Sequence, residues 1–161
     1  MEPPPHPLPE GVPSPGLGPR KRANATNDLH HWAELCGAEF SPKARELRRD
    51  PRLLTQAALV AREAGRFREF HYPAYRARWA EARDISDPEV VRGLLAGAGL
   101  DADRALEDAQ SSEIRERLDA ESRAAVERGV FGAPTLFVGD RMFWGNDRFE
   151  LVRYYLEKRL S

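Results

Sequence analysis

The sequence holds a single cysteine, Cys36. One thiol can form neither an internal disulfide nor a C-x-x-C pair, so dithiol exchange and cysteine-based metal centres lack their residues, and a reducing, cytoplasmic setting is expected. Charge of one sign is missing as well: 25 Lys and Arg stand against 26 Asp and Glu, a formal net charge of -1. That balance makes no field for a phosphate backbone, and nucleic acid is not expected as a partner. No apolar run reaches the roughly 20 residues of a membrane-spanning helix, and prolines stand where a signal peptide would carry its apolar stretch. Phosphate loops, EF-hand spacing and a Ser-His-Asp order are absent too. His30 and His31 are adjacent and so fall on different helix faces, and with no spaced third ligand they read as surface residues.

Proline is abundant but uneven, with eight of the 13 within residues 1–22. That segment also carries three glycines and few apolar side chains. It reads as a disordered, extended tail ending in Arg20, Lys21 and Arg22, either plainly solvated or a proline-rich ligand for an adaptor domain. From Ala23 to Arg128 the apolar period is helical, punctuated by glycines and Asp-Pro pairs. Leu29, Trp32, Ala33 and Cys36 share a face, with Asn27 or Asp28 to cap and Gly37 to stop. At the C-terminus of that helix Cys36 reads as a buried, inert thiol. Asp50-Pro51 opens a stripe of Leu53, Leu54, Ala57, Ala58 and Ala61 that ends at Gly65. Phe67, Phe70, Tyr75 and Trp79 form an aromatic stripe through Pro73, which either kinks the helix or starts a new one after Tyr72. His71 in that stripe reads as packing. Asp87-Pro88-Glu89 opens a helix with Val90, Val91, Leu94 and Leu95, closed by Gly97 and Gly99. Asp101 starts a short helix, and a longer one follows with Ile114, Leu118, Ala125 and Val126 inward.

The last third changes period. Thr135-Leu136-Phe137-Val138 and Arg141-Met142-Phe143-Trp144 are β-rich runs separated by Gly139-Asp140, the spacing of a tight hairpin. Asn146 and Asp147 then offer a cap to a terminal helix whose stripe is Phe149, Val152, Tyr155 and Leu156. Two places here can hold chemistry. Pro134 stands at the first position of a strand, where its missing donor is tolerated. A trans bond merely begins the strand, whereas a cis bond exposes the Ala133 N–H and C=O to an extended ligand backbone. Asn146 and Asp147, at a helix start, can either cap that helix or hold an amino-acid head group.

The string Gly129-Val130-Phe131-Gly132-Ala133-Pro134-Thr135-Leu136-Phe137-Val138-Gly139-Asp140, continued by Met142-Phe143-Trp144-Gly145-Asn146-Asp147-Arg148, resembles the 2-hydroxychromene-2-carboxylate isomerase family. That family is the DsbA-like thioredoxin-fold group that includes kappa-class glutathione transferases. Asp28-Leu29 with Trp32-Ala33 and Gly37, the stretch Asp84-Ile85-Ser86-Asp87-Pro88 and Ala98-Gly99-Leu100-Asp101 extend the likeness over about residues 24–160. The resemblance implies an α/β thioredoxin-like (DsbA-like) fold with a helical insertion. In this chain that means mostly helix, an insertion over about 27–128, then a ββα portion over about 130–160. It implies glutathione as cofactor, a small aromatic or unsaturated substrate, and isomerisation about a double bond after addition of the thiolate. Ala133 and a cis Pro134 would pair with the cysteinyl backbone of glutathione, and Asn146 and Asp147 would hold its γ-glutamyl end. In the family a strand, a serine-bearing turn, a helix and a second strand precede the stretch at Asp28. Residues 1–22 supply no such βαβ unit, so the activating serine is expected to be absent and the domain incomplete. A homodimer is a further expectation. The alternatives are a catalytically silent, partner-binding helical domain and a relative of the disulfide oxidoreductases.

Overall fold

The computed structural model describes residues 18–46 and 50–160. In chain order it contains α1 (Pro19–Cys36), α2 (Lys43–Glu46), α3 (Arg52–Glu63), α4 (Phe67–Tyr75), a π-helical turn (Arg76–Ala80), α5 (Pro88–Gly97), α6 (Ala102–Gln110), α7 (Ser112–Glu127), β1 (Thr135–Val138), β2 (Arg141–Trp144), a 3-10 turn (Asn146–Arg148) and α8 (Phe149–Leu160). The chain divides into two compact units at Leu118/Asp119, one helical and one containing the hairpin. The division falls inside α7.

In the first unit the core lies among α3, α4, α5 and α6. Ala57, Ala61, Phe70, Val91, Leu95 and Ala109 are buried there, with Leu53 and Leu54 packed against them. The apolar stripes read for α3 and α5 therefore face inward as expected. Side-chain caps fix two helix starts: the Asp87 carboxylate accepts from the Glu89 N–H at 2.9 Å and the Asp101 carboxylate from the Arg104 N–H at 3.2 Å. Asp50 does the same service at the start of α3, accepting from the Arg52 N–H at 2.9 Å. The glycine stops hold in the same literal way. Gly65 takes a φ of +68, the Arg66 N–H reaches back to the Ala61 carbonyl at 2.7 Å, and the last turn of α3 is closed.

Four expectations are corrected in this unit. The tail expected over residues 1–22 lies outside the described residues up to residue 17, but α1 already begins at Pro19. Proline is at home in the first turn because its missing N–H has no intrahelical partner there. Asn27 and Asp28 accordingly lie inside α1 and cap nothing. Cys36 is exposed, because the face it shares with Leu29 and Trp32 borders a cavity rather than the core. Pro73 does not start a new helix after Tyr72: the chain stays helical through it and loosens into the π turn, where the Glu81 N–H bonds the Arg76 carbonyl at 3.0 Å. A π turn absorbs a disturbed hydrogen-bond register without breaking the helix. Along the aromatic stripe only Phe70 is fully buried, while His71 packs its ring on Phe67 and Tyr75 at centroid distances of 4.9 and 4.7 Å.

In the second unit β1 and β2 pair antiparallel, with Thr135 opposite Trp144 and Val138 opposite Arg141. Gly139 takes a φ of +61 in the two-residue turn, the positive φ that a tight hairpin requires at its first central position. Val138 is buried while its cross-strand partner Arg141 and the adjacent Met142 are exposed, and α8, which carries the buried Val152, packs against β1. Val126, Phe149 and Leu156, expected inward, are exposed. Two four-residue strands and one helix make too little apolar surface to enclose these side chains.

Candidate functional site

The loop before β1 and the turn after β2 meet. The Ala133–Pro134 peptide bond is cis, and the Gly145 N–H donates to the Pro134 carbonyl at 3.0 Å. This hydrogen bond follows from the register, since Thr135 pairs with Trp144 and the next residues outward are Pro134 and Gly145. It brings Ala133, Pro134, Asn146 and Asp147 to one end of the hairpin. Ala133 is exposed, and its N–H and C=O enter no hydrogen bond among the described residues. On the strand side the Thr135 hydroxyl donates to the Gly132 carbonyl at 2.5 Å, which ties down the loop ahead of Ala133.

The turn differs from the expected helix cap. Gly145, with a φ of +109, occupies the position before the 3-10 turn, and neither Asn146 nor Asp147 caps the backbone with its side chain. The chain leaves β2 through a conformation that only glycine adopts freely, so the polar pair enters the turn itself. The Asp147 carboxylate instead folds back over Gly145: a Cβ added at residue 145 would stand 2.6 Å from Asp147 Oδ1. The other carboxylate oxygen accepts from Arg148 Nη1 at 2.6 Å, and both side chains are about half exposed. Asp147 and Arg148 thus offer opposite charges side by side, just after the Gly145 that bonds Pro134.

Sequence reasoning missed the aromatic wall. Phe131 and Trp144 flank the loop with ring centroids 5.1 Å apart, both largely exposed. The Trp144 indole lies so close over Gly132 that a Cβ there would stand 2.5 Å from Nε1, so any larger residue would have to displace the ring. The available signal was an aromatic placed directly before a glycine on both sides, Phe131-Gly132 and Trp144-Gly145. Arg148 was missed as well, and its position next to Asp147 was the clue. Among the described residues of this end there is no serine, and no group of three or more His, Cys, Asp or Glu able to hold a metal ion. No helix among the described residues is long and apolar enough to cross a membrane.

A cis-proline loop feeding a hairpin and a closing helix, joined to a helical segment that precedes it in the chain, defines a thioredoxin-like domain of the DsbA type. The chain belongs to the DSBA-like thioredoxin domain family, whose profile matches residues 3–157. Among curated relatives it is 58% identical over 131 residues to the 2-hydroxychromene-2-carboxylate isomerase of Pseudomonas sp. (strain C18), covering 78% of this chain and 58% of that protein. The protein of the same name from Sphingobium xenophagum is 39% identical over 100 residues, 62% of this chain and 51% of that one. A solved 2-hydroxychromene-2-carboxylate isomerase superposes with a TM-score of 0.69 at 26% identity, over 89% of this chain and 72% of the other. A structure described as a putative protein disulfide isomerase from Nitrosomonas europaea shares the fold, with a TM-score of 0.66 at 21% identity. The chain spans between 51% and 60% of the length of the curated relatives it matches.

Proposed function

We propose that this chain carries the glutathione-holding part of an isomerase of the 2-hydroxychromene-2-carboxylate type, acting on an aromatic-degradation intermediate or a related electrophile. The observation that supports it is the Gly145–Pro134 hydrogen bond, which brings the segment with the exposed, unbonded Ala133 peptide and the segment with the Asp147–Arg148 pair to the same end of the hairpin. Those residues suit a tripeptide with a zwitterionic end. The Ala133 N–H and C=O pair with an extended cysteinyl backbone, the interaction by which a peptide adds itself to a sheet edge. Asp147 takes the γ-glutamyl ammonium, Asn146 adds an amide acceptor, and Arg148 answers the neighbouring carboxylate with a planar pair of donors. When bound, glutathione supplies a thiol that adds to an unsaturated, ring-opened substrate and frees rotation about its double bond.

The isomerase relatives support the reaction class. The Thr135 hydroxyl is already donated to the Gly132 carbonyl, so it is not placed to hold a thiolate. A thiol keeps a reference pKa near ~8.5 unless a donor stabilises its anion, and glutathione held here without one stays mostly protonated at neutral pH. Binding without appreciable isomerisation is therefore expected of these 161 residues.

Calorimetric titration with glutathione tests the assignment. Asp147→Ala is expected to weaken binding roughly fivefold, on the order of 1 kcal/mol for a half-exposed charged contact. Ala133→Pro deletes the backbone donor and should lower the affinity further. Equal affinity in the parent and both variants overturns these roles. No heat and no protection from proteolysis at millimolar glutathione would favour the partner-binding alternative instead.

A further inference from the structure

The first unit contains a cavity of about 770 Å³ that the reading above does not use. Its walls are the α1 face with Leu29, Trp32 and Cys36, the following loop with Phe40, and the end of α4 with its π turn, carrying Tyr75 and Trp79. The walls are pinned to each other. Phe40 stacks on Trp79 with centroids 5.7 Å apart and planes 22° apart, and the Ser41 N–H donates to the Trp79 carbonyl at 2.7 Å. The volume lies within the range of small-molecule sites, which are characteristically apolar and aromatic with a few polar groups. Trp32, Tyr72 and Tyr75 are each at least two-fifths exposed and all three border this one concavity. Apolar rings gathered in this way mark a surface that gains from being covered.

The charge at its rim selects the occupant. Among the described residues Arg76 and Glu39 are the only charged side chains in the lining, and they neutralise each other at 3.0 Å, with Glu81 on the other side of the same guanidinium at 3.1 Å. An anionic ligand finds no unanswered positive charge there and meets two carboxylates. A flat neutral ring system finds stacking surfaces in Trp32, Phe40, Tyr75 and Trp79, at the offset geometries aromatic pairs favour. We infer that this cavity is a binding site for an uncharged planar aromatic molecule. The inference does not rest on the glutathione reading, and it excludes from this cavity a substrate whose carboxylate must be recognised.

Cys36 makes the test direct, because it is the sole thiol, lines the cavity and is exposed. The probe is 2-naphthol, with 2-naphthoate as the charged counterpart, and the readout is the rate at which an aromatic disulfide reagent labels Cys36 in the full chain without glutathione. At a naphthol concentration tenfold above its Kd, mass action leaves about one site in eleven empty, so labelling should slow roughly tenfold. Naphthoate should require at least tenfold higher concentration for the same protection. Ala80→Phe, which fills the cavity from the π turn, should abolish protection with the helical circular dichroism unchanged; should that variant fail to fold, Ala33→Leu fills it from α1. Unprotected labelling at saturating naphthol overturns the site. Naphthoate protecting as well as naphthol overturns the ligand class, and full protection in a folded cavity-filled variant overturns the location.

Discussion

Single residues of this chain carry consequences that no sequence pattern announces. Gln56 lies in the apolar stripe of α3, 5% exposed, and its Nε2 has no hydrogen-bond partner among the described residues. An unmet buried donor costs about 1–3 kcal/mol. Gln56→Met, of similar length and without the donor, should therefore raise stability by roughly 1 kcal/mol, measured as a shift in the urea midpoint at constant slope. Unchanged or lower stability would show that the amide is satisfied. At the opposite extreme, Leu95 is fully buried in the centre of the helical core. Leu95→Ala should cost about 2–5 kcal/mol through lost burial and the cavity left behind, enough to consume much of a small domain's stability. The periodicity of α5 announced Leu95; nothing announced the exposure of Cys36. A helix face shows which residues point the same way and not whether another element covers them, so a cavity wall and a core wall look alike in sequence.

At the level of elements, the readable features were those written in short local codes. The Asp-Pro starts, the glycine stops and the Gly139-Asp140 hairpin each depend on residues within a turn of each other, and each stands where expected. The start of α1 and the passage through Pro73 did not, because a proline in the first turn is silent and one inside a helix is absorbed by a change of hydrogen-bond register. Both halves of the candidate site were legible as local features, a proline-led strand and a polar pair after a strand. Their meeting depends on the hairpin register that makes Gly145 the partner of Pro134. Between elements, Arg92 on α5 donates through Nε to Asp103 of α6 at 2.6 Å. The hydrogen bond and charge of Arg92 hold the Asp103 carboxyl below its ordinary range. A depressed carboxyl contributes stability that is present above its unfolded value, near ~3.9, and lost as pH falls through the lower folded one. Asp103→Asn should thus melt slightly below the parent at pH 7, and the gap should close below pH ~3; being fully solvent-screened, the effect is small and shrinks further in high salt. A gap that persists in acid would mean that the aspartate acts by something other than its charge.

The whole molecule is unequal in its two parts. The helical unit has a continuous core, whereas the hairpin unit, among the described residues, buries only Val138 and Val152 of its large apolar side chains and leaves Phe131, Trp144, Phe149, Leu151, Tyr154 and Leu156 about half exposed or more. A two-stranded sheet with so little cover is marginal in water. That much exposed apolar surface should drive association, so sedimentation is expected to show mass rising with protein concentration, and Phe149→Glu to reduce it. A monomer at every concentration would contradict this. The three tryptophans make the inequality optically separable, since Trp32 and Trp79 stand in the helical unit and Trp144 alone reports the other. With Trp32 and Trp79 replaced by phenylalanine, the remaining emission should move to longer wavelength at a lower denaturant concentration than helical circular dichroism is lost. The indole that roofs Gly132 thereby becomes a gauge of how firmly the cis-proline loop is kept in place, and of how much a bound peptide firms it.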